Sequence, residues 1–183
     1  MKRLVTLACL MTLLSACGTS PDPNYYTLSA LDGEKLHGKK ILLKIQRPAV
    51  DVSIDRPQMV SQDSQFQVIY NNTALWSEPV DRMVERVLAQ DLEKRIPGSV
   101  AVTESGAMQT EPNYLIDLDI RQFGINADGH AVLQAVILVH TPKENGAPHP
   151  VTLVGAKASP GSTEAQALSE LLARLADQIA GKL

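Results

Sequence analysis

Beyond Cys17 the 183-residue chain contains no cysteine, and the only other one, Cys9, lies upstream of it. A domain without thiols has no disulfide to staple it, no thiolate nucleophile and no cysteine-based metal site. Aromatic residues are scarce as well: one tryptophan, four tyrosines and two phenylalanines are too few to line a sugar-binding cleft. No run of basic residues exceeds the pair Lys39-Lys40. There is therefore no cationic stripe to neutralise nucleic-acid phosphates or to grip anionic lipid head groups. The formal charge is −3, with 17 basic against 20 acidic residues. No serine sits in G-x-S-x-G and no phosphate-binding glycine loop is present. His37, His130, His140 and His149 lack the short spacing of zinc ligands. These absences exclude most catalytic and metal-binding classes, so no catalytic residue, metal or cofactor is expected, and nucleic acid is not an expected partner.

What is present begins at the N-terminus. Met1-Lys2-Arg3 precedes an apolar run from Leu4 to Leu14 that ends in Leu14-Ser15-Ala16-Cys17. About eleven apolar residues fall far short of the roughly 20 that span a bilayer, so the run is a signal-peptide core rather than a transmembrane helix. An aliphatic residue, two small residues and a cysteine look like a bacterial lipobox. Residues 1–16 are then a lipoprotein signal peptide, and Cys17 is the lipid attachment site and first mature residue. Several acyl chains hold a protein stably, at about 0.8 kcal/mol per buried methylene. Gly18 and Thr19 lack an aspartate that would resemble an inner-membrane retention signal, which points to an outer-membrane lipoprotein facing the periplasm. Residues 17–24 form a short Pro-punctuated tether, and its seven residues after Cys17 extend at most about 25 Å.

Residues 25–183 suit one domain, large enough to bury a sizeable core. Tyr25 to Leu28 and Lys39 to Arg47 read as strands, the second with Ile41, Leu43 and Ile45 on one face. A short strand follows at Gln58 to Val60. Phe66, Val68 and Tyr70 alternate with polar neighbours as a half-buried strand closed by Asn71-Asn72. Ser77 is placed as the N-cap of a helix whose stripe runs from Val80 to Leu92, stopped by Pro97-Gly98. Strands are expected at Ser99 to Thr103, Tyr114 to Arg121, Ala131 to Val139 and Val151 to Ala156. Thr163-x-x-Gln166 reads as a capping box that launches a last amphipathic helix. Strands and helices in this order give an α+β fold: a mainly antiparallel sheet with two helices packed on one face, in a single domain.

Two patterns call for explanation. Ile116, Leu118 and Ile120 share a face, but Phe123 and Ile125 fall out of phase with them, so either a β-bulge re-aims them or the other face is covered there. The strand from Ala131 to Val139 is apolar on both sides, which implies burial on both sides. Exposed apolar residues at Phe123 and Ile125 would mark a surface for self-association or partner docking. Asp117 and Asp119 stand roughly 7 Å apart on one strand face, near the spacing of glycosidase carboxylates. With Arg121 beside them and no aromatic cleft, they read as a solvated face, and an unrelated envelope hydrolase is the weaker alternative.

Taken together, Tyr25-Tyr26-Thr27-Leu28, Ile54-Asp55-Arg56-Pro57-Gln58-Met59-Val60 and Trp76-Ser77-Glu78-Pro79-Val80 resemble the PqiC/YmbA family of ABC-type transport auxiliary lipoproteins. The resemblance implies a non-catalytic accessory of a system that moves lipids or other apolar molecules between membranes. Its implied partners are an MCE-domain periplasmic protein and an ABC transporter. Arg56, Trp76 and Glu78 within these motifs join Phe123 and Ile125 as candidate partner-binding residues. Trp76, alone before a helix, also reads as a core plug.

Overall fold

The computed structural model describes residues 21–36, 40–108 and 110–183, so the signal segment, Cys17 and His37 lie outside the described residues. Nine strands form one sheet: β1 Asn24–Tyr26, β2 Leu42–Ile45, β3 Ala49–Val50, β4 Gln58–Gln62, β5 Val68–Trp76, β6 Val100–Thr103, β7 Tyr114–Ile125, β8 His130–His140 and β9 His149–Lys157. Two helices, α1 Val80–Arg95 and α2 Ser162–Ala180, complete the domain. None among the described residues is long and apolar enough to cross a membrane.

The sheet is mixed, which corrects the expectation of a mainly antiparallel one. Its spine is β7. One edge of β7 carries β8 and then β9, both antiparallel. The other edge is shared by three short strands that all run parallel to it: β2 at Leu43↔Tyr114, β3 at Ala49↔Asp119 and β4 at Ser61↔Ile125. These behave as one edge strand broken twice. Pro48, which has no N–H to donate, separates β2 from β3, and residues 51–57 turn between β3 and β4. The ladder continues across the breaks, with Gln46 N donating to Ile116 O at 2.9 Å and Asp51 N to Ile120 O at 3.0 Å. Beyond β2 lies β6, parallel; beyond β4 lies β5, antiparallel, and then β1, parallel to β5.

Alternation sets the core. Ile116, Leu118 and Ile120 on β7 share a face with Leu133, Ala135 and Ile137 on β8, and the apolar stripes of α1 and α2 close over them in one cluster. On the opposite face of β8, Val132 is buried while Val136 and Leu138 are only half-buried, so the two-sided strand is covered unevenly.

The phase slip in β7 is a β-bulge. Ile120 pairs with Ala135 and Gln122 with Gln134, so Arg121 is the extra residue, and Phe123 and Ile125 return to the core face opposite Leu133 and Ala131. At the same end Gly124 lets β4 approach. A Cβ on Gly124 would overlap the Val60 carbonyl oxygen, a backbone atom that moves only with its strand. Gly124→Ala is expected to destabilise the protein by about 1–3 kcal/mol and to strip hydrogen-exchange protection from β4 and β5 before β7 and β8. An unchanged urea midpoint would show that the β4 contact is dispensable.

Four local readings also change. Asn71-Asn72 does not close β5 but sits inside it. Asn71 Oδ1 accepts from Thr73 N, Thr73 Oγ1 and Ala74 N, forming a local turn at the register shift where Met59 pairs with Asn71 but Gln58 with Leu75. The capping box is absent. Helix α2 starts from Gly161 at φ 120°, while Thr163 Oγ1 donates to Ser159 O and accepts from Ser159 N. Ser77 lies before the helix, whose N-cap is Pro79 without a side-chain bond.

The fourth change is Phe66, which is not a half-buried strand residue. It stands in the turn between β4 and β5, 82% exposed, at φ 64°. Asp63 builds that turn by accepting from Gln65 N at 2.8 Å and Gln67 N at 2.9 Å. The left-handed conformation costs a non-glycine residue about 1–2 kcal/mol, and Phe66 recovers none of it by packing.

Candidate functional site

The three stretches that carry the family resemblance meet at one junction. Tyr26 on β1 lies beside Trp76 at the end of β5. Trp76 N donates to Pro57 O at 2.6 Å, and Ser77 N donates to Tyr26 O at 2.8 Å. Leu28 N reaches Met83 Sδ on α1 at 3.3 Å, so the junction is fixed to the helix that it launches. Segments separated by some fifty residues are thus tied through backbone groups that any sequence could supply; the side chains decide what the junction presents.

Those side chains divide into interior and surface. Trp76 is 4% exposed and packs on Phe123, itself 2% exposed, with ring centroids 6.0 Å apart. Ile125 is buried with them. The bulge that brings Phe123 and Ile125 inward removes them from the surface on which partner docking was expected, and Trp76 is a core plug. Arg56 and Glu78 stay at the surface. The Arg56 guanidinium lies 4.5 Å above the Tyr70 ring, a cation–π contact that holds it on the β5 face. Glu78 accepts from Arg86 on α1. On the other side of the helix start, Arg47 Nε pairs with Asp81 at 2.6 Å.

Beside this junction the β7 bulge, the 51–57 turn and the root of the β4–β5 hairpin enclose a cleft of about 230 Å³, lined by Ile54, Val60, Val68, Arg121, Gln122 and Gln134 among others. It mixes apolar walls with amide and guanidinium groups.

Residues considered for chemistry are dispersed. Asp117 Oδ2 lies 2.9 Å from His140 Nε2, and His140 Nδ1 lies 3.0 Å from Thr141 O, so both ring nitrogens are engaged and neither is free to activate a nucleophile. Asp119 pairs with Arg121 at 3.3 Å. His130 Nδ1 faces Gly155 O, and His149 is exposed on β9. Among the described residues no three histidine or acidic groups are placed to hold a metal ion.

Sequence reasoning missed a buried polar assembly. Arg95, at the end of α1, donates from Nε to Asp177 on α2 at 2.5 Å and from Nη1 to Leu31 O at 3.1 Å and Asp91 O at 3.0 Å. Asp91 accepts from Leu31 N at 2.7 Å. Together they pin the 28–36 segment to both helices, with Gly33 packed so closely that a Cβ there would displace the guanidinium. Burial pushes the Asp91 carboxyl up to about 6, opposed by the Leu31 N–H and by Arg95. Glu164 on α2 is also fully buried, both carboxyl oxygens lack a partner among the described residues, and burial raises it to about 8. The only sequence signal for Asp91 and Arg95 is their four-residue spacing on one helix face.

The fold has close relatives in form. An uncharacterised protein known from its crystal structure superposes with a TM-score of 0.73 at 21% identity, covering 88% of this chain and 99% of its own. Protein XCC0632 from Xanthomonas campestris gives a TM-score of 0.67 at 17% identity, covering 86% and 93% respectively. No curated protein matches. The family described as the ABC-type transport auxiliary lipoprotein component matches residues 26–180, from the strand that flanks Trp76 to the end of α2. That span takes in Tyr26 of β1, the Asp-Arg-Pro turn and the start of α1, and the chain belongs to the family of ABC-type transport auxiliary lipoprotein components.

Proposed function

We propose that this chain is a periplasmic outer-membrane lipoprotein, anchored through Cys17, that serves as a non-catalytic accessory of an MCE-type lipid transport system. In this reading residues 1–16 are the signal peptide, 17–24 the lipidated tether and 25–183 the docking domain. An ABC transporter supplies energy elsewhere in the system. The carrying observation is the family match over residues 26–180. Supporting it, the three family-like stretches build one shared junction instead of an active-site constellation. Arg56 and Glu78 are the surface residues of that junction offered to the partner, whereas Trp76, Phe123 and Ile125 hold the junction from inside.

Crosslinking and pull-down of the intact lipoprotein from membranes should recover an MCE-domain protein, and deletion should make the envelope more permeable to detergents. Intact mass should show diacylglyceryl modification, lost in Cys17→Ala. The reading fails if the purified protein instead turns over an envelope ester or glycan and Asp117→Asn or Asp119→Asn abolishes that turnover.

A further inference from the structure

We infer that the β4–β5 hairpin tip is a second membrane contact, one that inserts Phe66, with Val68 and Ile69 behind it, into the lipid surface to which the chain is anchored. The inference rests on the anchored reading and adds to it an orientation and a site.

Three observations converge. First, the tip is apolar without structural need. Phe66 is the only non-glycine residue with positive φ among the described residues, it is almost fully exposed, and Val68 and Ile69 next to it are about half-exposed. A turn built by Asp63 would take glycine or asparagine there without strain, so the side chain is kept for something outside the fold. Second, the chain enters from that side. Strand β1 runs parallel to β5 with Asn24 beside Ala74, so β1 begins at its end nearer the start of β5, where the hairpin lies. From the level of Gln58 to the tip beyond Gln62 is roughly 15–20 Å at the rise of a β-strand. The tether from Cys17 to Asn24 extends at most about 25 Å. A tip that projects toward the anchor by nearly the reach of the tether meets the bilayer surface. Third, residues 62–69 hold no lysine or arginine, the carboxylate of Asp63 is occupied in the turn, and Arg121, the cation that shares a cleft with Gln62 and Val68, is paired with Asp119. The contact is therefore apolar insertion rather than attraction to anionic head groups. The family implies only an anchor; the tip gives the domain a fixed pose, with the opposite turn, residues 141–148, roughly 35 Å away along β8 and facing the periplasm.

The mature lipoprotein has no thiol other than Cys17, so a single cysteine can carry a dye. Ser64→Cys, at the tip, and Asn145→Cys, at the far turn, would each be labelled with an environment-sensitive fluorophore. The full lipoprotein would then be reconstituted into phosphatidylcholine vesicles containing spin-labelled lipid. The Ser64→Cys dye should shift to the blue and lose most of its emission, the Asn145→Cys dye should do neither, and added salt should change nothing. Adding Phe66→Ser and Ile69→Ser should restore the emission of the tip dye. Equal emission from both positions in protein that mass spectrometry shows to be lipidated overturns the tip contact and leaves the accessory reading standing. So does salt-sensitive quenching, or shielding that grows with protein density and persists without spin-labelled lipid, the latter indicating a second copy on the tip. An unlipidated Cys17 overturns the anchor and, with it, the geometry that aims the tip.

Discussion

Arg95→Ala is expected to destabilise the domain by about 3–5 kcal/mol, read as a large fall in the urea midpoint, with hydrogen-exchange protection lost first at Leu31 and Leu36. The guanidinium is almost wholly buried and serves the Asp177 carboxylate and the carbonyls of Leu31 and Asp91 at once. Removing it leaves Asp91 buried with one fewer opposing charge and with one oxygen that already has no partner among the described residues. It also opens a void against Gly33 and removes the side-chain bond to Leu31 O, leaving residues 28–36 held on this side by the backbone bond from Leu36 N to the carbonyl of residue 95. Arg95→Lys should recover little, because an ammonium is a point charge without the planar fork that reaches several acceptors. The double variant Arg95→Met with Asp91→Asn should recover a good part of the loss. Asparagine keeps an acceptor for Leu31 N while the uncompensated charge disappears, and residues in one network are expected to be non-additive. Strict additivity of the two single changes would mean that Arg95 and Asp91 do not act as a unit.

Stability should fall as pH rises from about 5 to 8, and Glu164→Leu should remove most of that fall. The Glu164 carboxyl is fully buried with neither oxygen bonded among the described residues, and burial alone raises it to about 8 from an ordinary 4.5. Between those two values the folded state holds a proton that the unfolded state has released. Folding stability is therefore present in full below the ordinary value, declines by at most roughly 1.4 kcal/mol per pH unit, and levels off above about 8. Asp91 adds a slope of the same sign between its ordinary 3.8 and about 6. The interval from pH 6 to 8 is consequently where Glu164 acts without it. Urea unfolding at pH 5, 6, 7 and 8 separates the two: Glu164→Leu should flatten the upper interval and leave the lower one sloping. Glu164→Gln, a neutral isostere, should match wild type near pH 5 and exceed it at pH 8. A wild-type slope between pH 6 and 8 that survives both substitutions would place its origin elsewhere.

How much of this was legible in the sequence depends on the range over which each feature is decided. The α1 stripe and its stop at Pro97-Gly98, the alternation of Ile116, Leu118 and Ile120, and the turn at Asp128-Gly129 are written in neighbours a few residues apart. They appear where periodicity and turn chemistry put them. The family resemblance was legible for the same reason, since each stretch is short and contiguous. The bulge at Arg121 was visible as a slip in phase, though only the pairing with β8 decided that Phe123 and Ile125 turn inward.

Other features belong to tertiary structure. Hydrophobic alternation says which residues face a core but not which strand lies alongside, so the parallel docking of β2, β3 and β4 on one edge of β7 could not be read. Phe66 followed the alternation of Val68 and Tyr70 and looked like strand, but the carboxylate of Asp63 captured two nearby N–H groups and made a turn instead. Arg95 and Asp177 lie on different helices and Glu164 looks like any first-turn acid; their burial depends on what packs over them. By itself the sequence determined the composition that excludes most chemistry, the helix faces and the short motifs of the family, because those are local. Strand partners, the inward turn of Trp76 and Phe123, the buried charges and the direction in which the hairpin points were decided only when distant segments packed, because desolvation and pairing act between surfaces that the chain brings together in folding.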